Sequence, residues 1–184
     1  ASTMTTWHYF LLISLGLLIP TAYAAKIGAP WAPTRKKAIK SAFDRIDISK
    51  DDVVIDLGAG DGKTLLIAAE HGAKAIGYEL SQIMWLVAKL RTIGKKGIRV
   101  RLNNFYKQTL PKETTAIFAF LVPDTMPRLK KYLATQSLPN LEYVVIYAFP
   151  FQDVQALTIV RENNCAPVYI YHARQIIEGE DQAS

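Results

Sequence analysis

Val53-Val54-Ile55-Asp56-Leu57-Gly58-Ala59-Gly60-Asp61-Gly62 is the stretch around which the rest of the chain is organised. Its leading aliphatic residues read as a short strand, because parallel strands covered on both faces lose polar/apolar alternation. The glycines that follow let the backbone turn sharply and approach a ligand closely, where a Cβ would stand in the way. Lys63 to Glu70 then reads as a helix, with Leu65, Leu66, Ala68 and Ala69 available to pack on a sheet. Strand, glycine turn and helix in this order form the phosphate- or nucleoside-binding corner of an open α/β sheet. Ligands there sit beyond the carboxyl ends of the strands.

Spacing narrows the choice of nucleoside. A dinucleotide fingerprint is G-x-G-x-x-G, whereas Gly58, Gly60 and Gly62 bring the last glycine one place early. Gly62-Lys63-Thr64 imitates the end of a P-loop, but Gly58 stands four places before Gly62, not the five that motif requires. Ala75-Ile76-Gly77-Tyr78 reads as the next strand, and Glu79 ends it 21 positions after Gly58. A carboxylate in that place accepts both ribose hydroxyls in a bidentate pair, which a single neutral acceptor does not match. D-x-G-x-G-x-G with an acid closing strand 2 resembles motif I and its partner in class I S-adenosylmethionine (AdoMet) methyltransferases. The resemblance implies cofactor contacts from Asp56, Gly58, Ala59, Gly60 and Glu79. The competing reading is an ordinary α/β turn with a surface glutamate.

The 184 residues suit one domain with a short appendage, and half of them are apolar, enough for a sizeable core. The single cysteine, Cys165, excludes an internal disulfide. His8, His71 and His172 are isolated and lack metal-ligand spacing, so no metal site is expected. A net charge of +6 permits an acidic partner, nucleic acid or an anionic membrane surface.

Residues 1–25 read as an appended remnant, Ala1-Ser2-Thr3, followed by a hydrophobic membrane-anchor segment. The uncharged run Tyr9 to Ala25 has 17 residues, so as a helix it reaches ~25 Å, the short end of a bilayer span. A cleaved signal peptide has support from Ala22-Tyr23-Ala24 but lacks a basic region before the apolar stretch; a packed helix is the third reading. Lys26, Arg35, Lys36, Lys37 and Lys40 crowd the far side of the run. By the positive-inside rule they put the catalytic domain in the cytoplasm.

Residues 26–178 read as the class I domain and 179–184 as a polar tail, with fraying from Gln175 onward. Thr34 is an N-cap candidate for a helix from Arg35 to Arg45 with an apolar stripe of Ala38, Ile39, Ala42, Phe43 and Ile46. The proline-stiffened loop before it brings Trp31 or Thr34 over the cofactor, or is a plain linker. Ser81 to Thr92 reads as a helix with Ile83, Leu86, Val87 and Leu90 inward. Lys89, Arg91, Lys95, Lys96, Arg99 and Arg101 form a basic cluster that fits a solvated face, membrane headgroups or an acidic substrate. Strand 3, Gly97 to Leu102, leads to Asn104, whose carbonyl oxygen is a candidate acceptor for the adenine amine. Phe105 either stacks on adenine or joins the core.

Thr115 to Leu121 reads as strand 4 and exits into Val122-Pro123-Asp124-Thr125. The Asn/Asp-Pro-Pro-aromatic tetrapeptide that grips a planar amino group is absent here, which argues against a base-amine substrate and makes nucleic acid an improbable partner. Asp124 orients an amine substrate or caps the helix Thr125 to Leu133. Tyr143 to Ala148 is strand 5, while Leu157 to Val160 and Val168 to His172 make an antiparallel finish to a Rossmann-like, seven-stranded, mostly parallel sheet.

With these residues placed, the chain resembles a narrow branch of seven-strand methyltransferases. These are the mitochondrial lysine methyltransferases of the ATP synthase c subunit and the adenine nucleotide translocase, with prokaryotic relatives. The likeness runs from about Tyr9 to Arg174. It includes Pro33-Thr34, the motif from Asp56 to Gly62, Gly77-Tyr78-Glu79-Leu80, Trp85-Leu86-Val87-Ala88 and Phe120-Leu121-Val122-Pro123. Members often carry Asp where Asn104 stands and Arg where Lys63 stands. The resemblance implies AdoMet-dependent methylation of lysine on a protein substrate, membrane-embedded if the anchor reading holds. Asp124 and Trp31 are the substrate-side candidates, with Thr34 and Asn104 as further cofactor contacts. Phe105, Tyr106, Trp31 and Phe149 are candidates for an apolar lysine pocket. Methylation of a small molecule or RNA, or a non-catalytic AdoMet-binding module, are the alternatives.

Overall fold

Seven strands form a single sheet in the order β3-β2-β1-β4-β5-β7-β6, in which β7 alone runs opposite to the other six. The computed structural model describes residues 6–11, 14 and 34–177. The strands are β1 (Val53–Leu57), β2 (Lys74–Glu79), β3 (Ile98–Leu102), β4 (Ala116–Ala119), β5 (Tyr143–Tyr147), β6 (Thr158–Val160) and β7 (Val168–His172). The helices are α1 (Lys36–Arg45), α2 (Lys63–Glu70), α3 (Gln82–Thr92), α4 (Met126–Ala134) and α5 (Ala173–Ile177). The expected parallel core and antiparallel finish are both present, with β7 paired antiparallel to β5 and to β6.

The continuous apolar strands are explained by burial on both faces. Along β1, Val54 packs with α1 and α2, and Ile55 and Leu57 pack on the opposite side with α4 and α5. Phe118 and Val145 share the first layer, Ile117 and Val144 the second. Side chains still alternate, but both sides are apolar because each is covered by helices.

Four local expectations need correction. The α1 N-cap is Arg35, not Thr34, and no side chain caps that end. Asp124 lies in the 3-10 turn Pro123–Thr125, and neither it nor Thr125 makes a side-chain cap to α4. The chain does not fray from Gln175: α5 runs to Ile177, and Ile176 is fully buried against the sheet.

The fourth concerns α3. Its buried residues are Ala88 and Thr92, with Trp85 packed against the core, whereas Ile83, Leu86 and Leu90 are exposed. The glycine turn sets this orientation. A Cβ on Gly62 would stand 3.1 Å from the Cβ of Ala88, so the helix approaches the turn too closely for a larger side chain. Trp85 also donates from its indole nitrogen to the Val100 carbonyl (3.4 Å), which orients the inward face.

Among the described residues, no helix is long and apolar enough to cross a membrane. Most of the run from Tyr9 to Ala25, Trp31 and the tail 179–184 lie outside the described residues.

Candidate active site

The order of the parallel strands reverses between β1 and β4, which leaves a crevice beyond their carboxyl ends. The glycine turn occupies its rim. Gly58 has φ +107°, a region that side chains rarely adopt, and the space its Cβ would fill is empty to 4 Å. That is a cradle for a ligand pressed against backbone. The turn is held to the next strand, since Gly58 and Ala59 both donate their N–H to the Tyr78 carbonyl at 2.9 Å. Gly77 permits the contact: a Cβ there would come within 2.6 Å of the Ala59 Cβ. Ala59 is therefore buried beneath the turn and acts through its backbone.

Glu79 is clamped at the end of β2. One carboxylate oxygen accepts from the Gly60 N–H and the other from the Ser81 N–H, each at 2.7 Å. Each oxygen keeps further acceptor capacity for a diol, now in a fixed orientation. Ser81 in turn caps α3, accepting from the Met84 N–H (3.4 Å). Turn, strand end and helix start are thus tied through one carboxylate.

Asp56 lies under this rim and is only 1% exposed. Its Oδ1 has no hydrogen-bond partner. Burial raises its pKa to about 8, against the hydrogen bond from Thr64, and the Glu79 and Asp61 charges push the same way as burial. A buried carboxyl with an orphaned oxygen suits a cationic donor.

Lys63 closes the other side. Its ammonium donates to the Thr34 carbonyl (2.8 Å) and lies 3.6 Å from the Asp61 carboxylate. Arg35 N–H donates to the Tyr147 hydroxyl (3.3 Å) at the end of β5. Thr34 and Arg35 are thereby fastened to the start of α2 and the end of β5. Thr34 contributes its backbone carbonyl to this fastening.

The structure separates the remaining candidates. Asn104 caps the 3-10 turn Phe105–Lys107, its side-chain oxygen accepting from the Tyr106 N–H (3.1 Å), so part of its acceptor capacity is already used. Phe105 is 8% exposed and packs into the core, 5.7 Å from the Tyr132 ring. Tyr106 lies beneath the Arg128 guanidinium, 4.0 Å from the ring centre. Burial raises the Tyr106 pKa, opposed by the Arg128 charge. Asp124 is exposed at the exit of β4. Phe149 joins a different group, stacked on Phe120 at 6.2 Å, while Phe120 meets Tyr147 edge-on at 5.0 Å.

Lys63, Phe120 and Tyr147 were not among the residues singled out for the site. The signal for the last two was available, because each stands at the carboxyl end of a parallel strand. Ala148 follows with φ +71°, a strained conformation that turns Phe149 away from the strand direction. An open groove of 680 Å³, lined by Ser41, Asp44, Arg45, Arg161 and Glu162, lies against β6, four strands from β1. It takes no part in this crevice.

The model of the ANTKMT methyltransferase domain family matches residues 56–158. The chain is 31% identical over 151 residues to a protein-lysine N-methyltransferase of Saccharolobus islandicus, covering 77% of this chain and 92% of that protein. It is 30% identical over 133 residues to the lysine N-methyltransferase of the ATP synthase c subunit from Xenopus laevis, covering 70% of this chain. The match spans only 57% of the Xenopus protein's length. The fold is shared with an RNA methyltransferase of Salinibacter ruber solved with S-adenosyl-L-homocysteine. Its TM-score is 0.70 at 23% identity, over 77% of this chain and 94% of that one.

Proposed function

The chain belongs to the ANTKMT methyltransferase domain family, and we propose that it transfers a methyl group from AdoMet to a lysine of a membrane-associated protein. AdoMet supplies a methyl group on a sulfonium; the lysine nitrogen takes the methyl as the carbon–sulfur bond breaks, S-adenosylhomocysteine leaves, and a proton passes to solvent. Glu79 would hold the ribose hydroxyls with the carboxylate its two backbone amides orient, Gly58 and Gly60 would admit the cofactor to the backbone, and Asp56 would answer its positive charge. Thr34 and Asn104 are secondary contacts in this reading, and Asp124 and Trp31 stand on the substrate side.

The observation that carries the lysine reading is the apolar exit of β4 and β5, lined by Phe120, Tyr147 and Phe149. A lysine amine attacks only when neutral, and desolvation among aromatic rings lowers its pKa. Aligning that amine with the methyl then supplies much of the acceleration. A base amine would instead need polar partners at this exit, which reads Leu121-Val122-Pro123. The run from Tyr9 to Ala25 would tether the domain on the cytoplasmic face, where it meets membrane-embedded substrates at headgroup level.

The test is incubation with tritiated AdoMet against separated membrane and soluble fractions, with Glu79→Ala alongside. Methyl-lysine recovered by hydrolysis of a labelled membrane protein is expected, with AdoMet affinity at least tenfold weaker in Glu79→Ala. Label confined to RNA or small molecules would overturn the substrate reading. Unchanged affinity in the variant would remove the role given to Glu79.

A further inference from the structure

The outward face of α3 is apolar where a surface helix is ordinarily polar. Ile83, Leu86 and Leu90, with Ile93 just beyond the helix, are 38%, 52%, 60% and 71% exposed. At ~100° per residue these four fall within an arc of about 80°, opposite the inward Trp85, Ala88 and Thr92. Lys89 flanks the ridge on one side and Arg91 on the other, the latter also paired with Asp61. Lys95 and Lys96 follow in the exposed segment after the helix.

The charge is concentrated here. From Gln82 to Leu102 there are six basic residues and no acidic one. The chain has 22 basic and 16 acidic residues in all, so outside this segment the two signs balance at 16 each. The excess charge therefore sits on one segment. Four of its six basic residues, Lys89, Arg91, Lys95 and Lys96, border the ridge, while Arg99 and Arg101 share the opposite face of the sheet with Ile76 and Tyr78.

We propose that this face is a membrane-binding surface, which seats its aliphatic ridge in the acyl boundary of an anionic bilayer and its basic rim among the lipid phosphates. Apolar centre with flanking Lys and Arg is the composition of helices that lie in the interface plane. Each basic side chain near an anionic leaflet strengthens binding further. A second copy of this chain is a poorer occupant, since it would bring Lys89, Lys95 and Lys96 of one copy against those of the other. RNA would satisfy the rim but offer nothing apolar to the ridge. The helix begins at Ser81, whose N–H holds the Glu79 carboxylate, so a bilayer lying along α3 passes beside the cofactor corner. This contact is additional to the tether proposed above, and vesicle binding is read without methyl transfer, so either can fail while the other stands.

The experiment is co-sedimentation of the full chain with phosphatidylcholine vesicles, with and without phosphatidylglycerol. At low salt, binding to the anionic vesicles is expected to be at least tenfold tighter, and about 0.5 M salt should remove most of that preference. L86Q/L90Q should weaken binding to the anionic vesicles about tenfold by removing the inserted ridge, and K95S/K96S should reduce the anionic preference about tenfold while leaving binding to phosphatidylcholine alone nearly unchanged. The two variants should melt within a few degrees of the wild type, because the residues are exposed. Equal binding to both vesicle types, a preference that survives K95S/K96S, or anionic-vesicle affinity unchanged in L86Q/L90Q would overturn the proposal. So would a melting temperature lowered by many degrees in L86Q/L90Q, which would mean the ridge is covered by another part of the chain. A concentration-dependent dimer or RNA binding abolished by L86Q/L90Q would assign the face to those occupants instead.

Discussion

Helices α1 and α3 both carry an aliphatic stripe, and they use it in opposite directions. In α1, Ala38, Ile39, Ala42 and Phe43 are fully buried, with Phe43 edge-on to Phe118 at 6.3 Å. In α3 Ile83, Leu86 and Leu90 face solvent and the helix rests on Trp85, Ala88 and Thr92. The difference lies in what each helix meets. α1 covers open sheet, which has room for large side chains, whereas α3 is drawn close to Gly62 and admits a methyl group. Hydrophobic periodicity therefore locates a stripe but does not say which way it points.

Asp56 is the counterpart of the α3 ridge: there apolar groups stay outside, here a carboxyl goes inside. Each departure is costly for folding alone, and each makes sense as a place prepared for a binding partner.

The comparison can be broken most sharply at Phe43. Phe43→Ala should cost about 3–5 kcal/mol in chemical denaturation, the usual loss for an aromatic deleted from a packed core. A cost below about 1 kcal/mol would mean that α1 is not seated as described.

Asp56 adds a dependence on pH. Its folded pKa, about 8, exceeds that of the unfolded chain, so the folded state holds the extra proton between the two values. Its contribution to stability is fully present below the unfolded pKa of about 4 and is lost as pH rises toward 8. Relative to Asp56→Asn, the wild type should lose on the order of a few kcal/mol between about pH 5 and pH 8. Denaturation at the two pH values measures this, and parallel curves would refute the buried-acid description. AdoMet affinity of the wild type should rise over the same range if the ionised form is the one that binds.

Ala88→Leu tests the close seat of α3 and should cost about 1–3 kcal/mol by overpacking against the glycine turn. Ser81→Ala removes the cap and should cost about 1 kcal/mol while leaving the backbone clamp on Glu79, and hence AdoMet affinity, in place. Smallest of all, Leu90→Ala should change stability by no more than about 0.5 kcal/mol, roughly ten times less than the loss at Phe43 in α1. A large effect at Leu90 would erase the distinction between the helices.

Much of the site was legible because it is local. The run from Val53 to Gly62 contains its own strand and turn, α2 has the bounds Lys63–Glu70 that the pattern suggests, and Glu79 ends β2 where the ribose acceptor was expected. The aromatic group at the exit of β4 and β5 was harder to see. Phe120, Tyr147 and Phe149 come from separate strand ends and meet only once β4 and β5 pair. Asn104 reads as a free acceptor until the following turn places the Tyr106 N–H against it.

By itself the sequence determined the strand–turn–helix corner, the family and the excess of positive charge between Gln82 and Leu102. These depend on residues adjacent in the chain, where glycine spacing, apolar runs and charge act without help from distant segments. Only the tertiary structure decided that Asp56 is sealed in with an unpaired oxygen, that Glu79 is held by two backbone amides, and that the α3 stripe faces out. Those outcomes follow from the distance between packed elements, and that distance is set by side chains far apart in the chain.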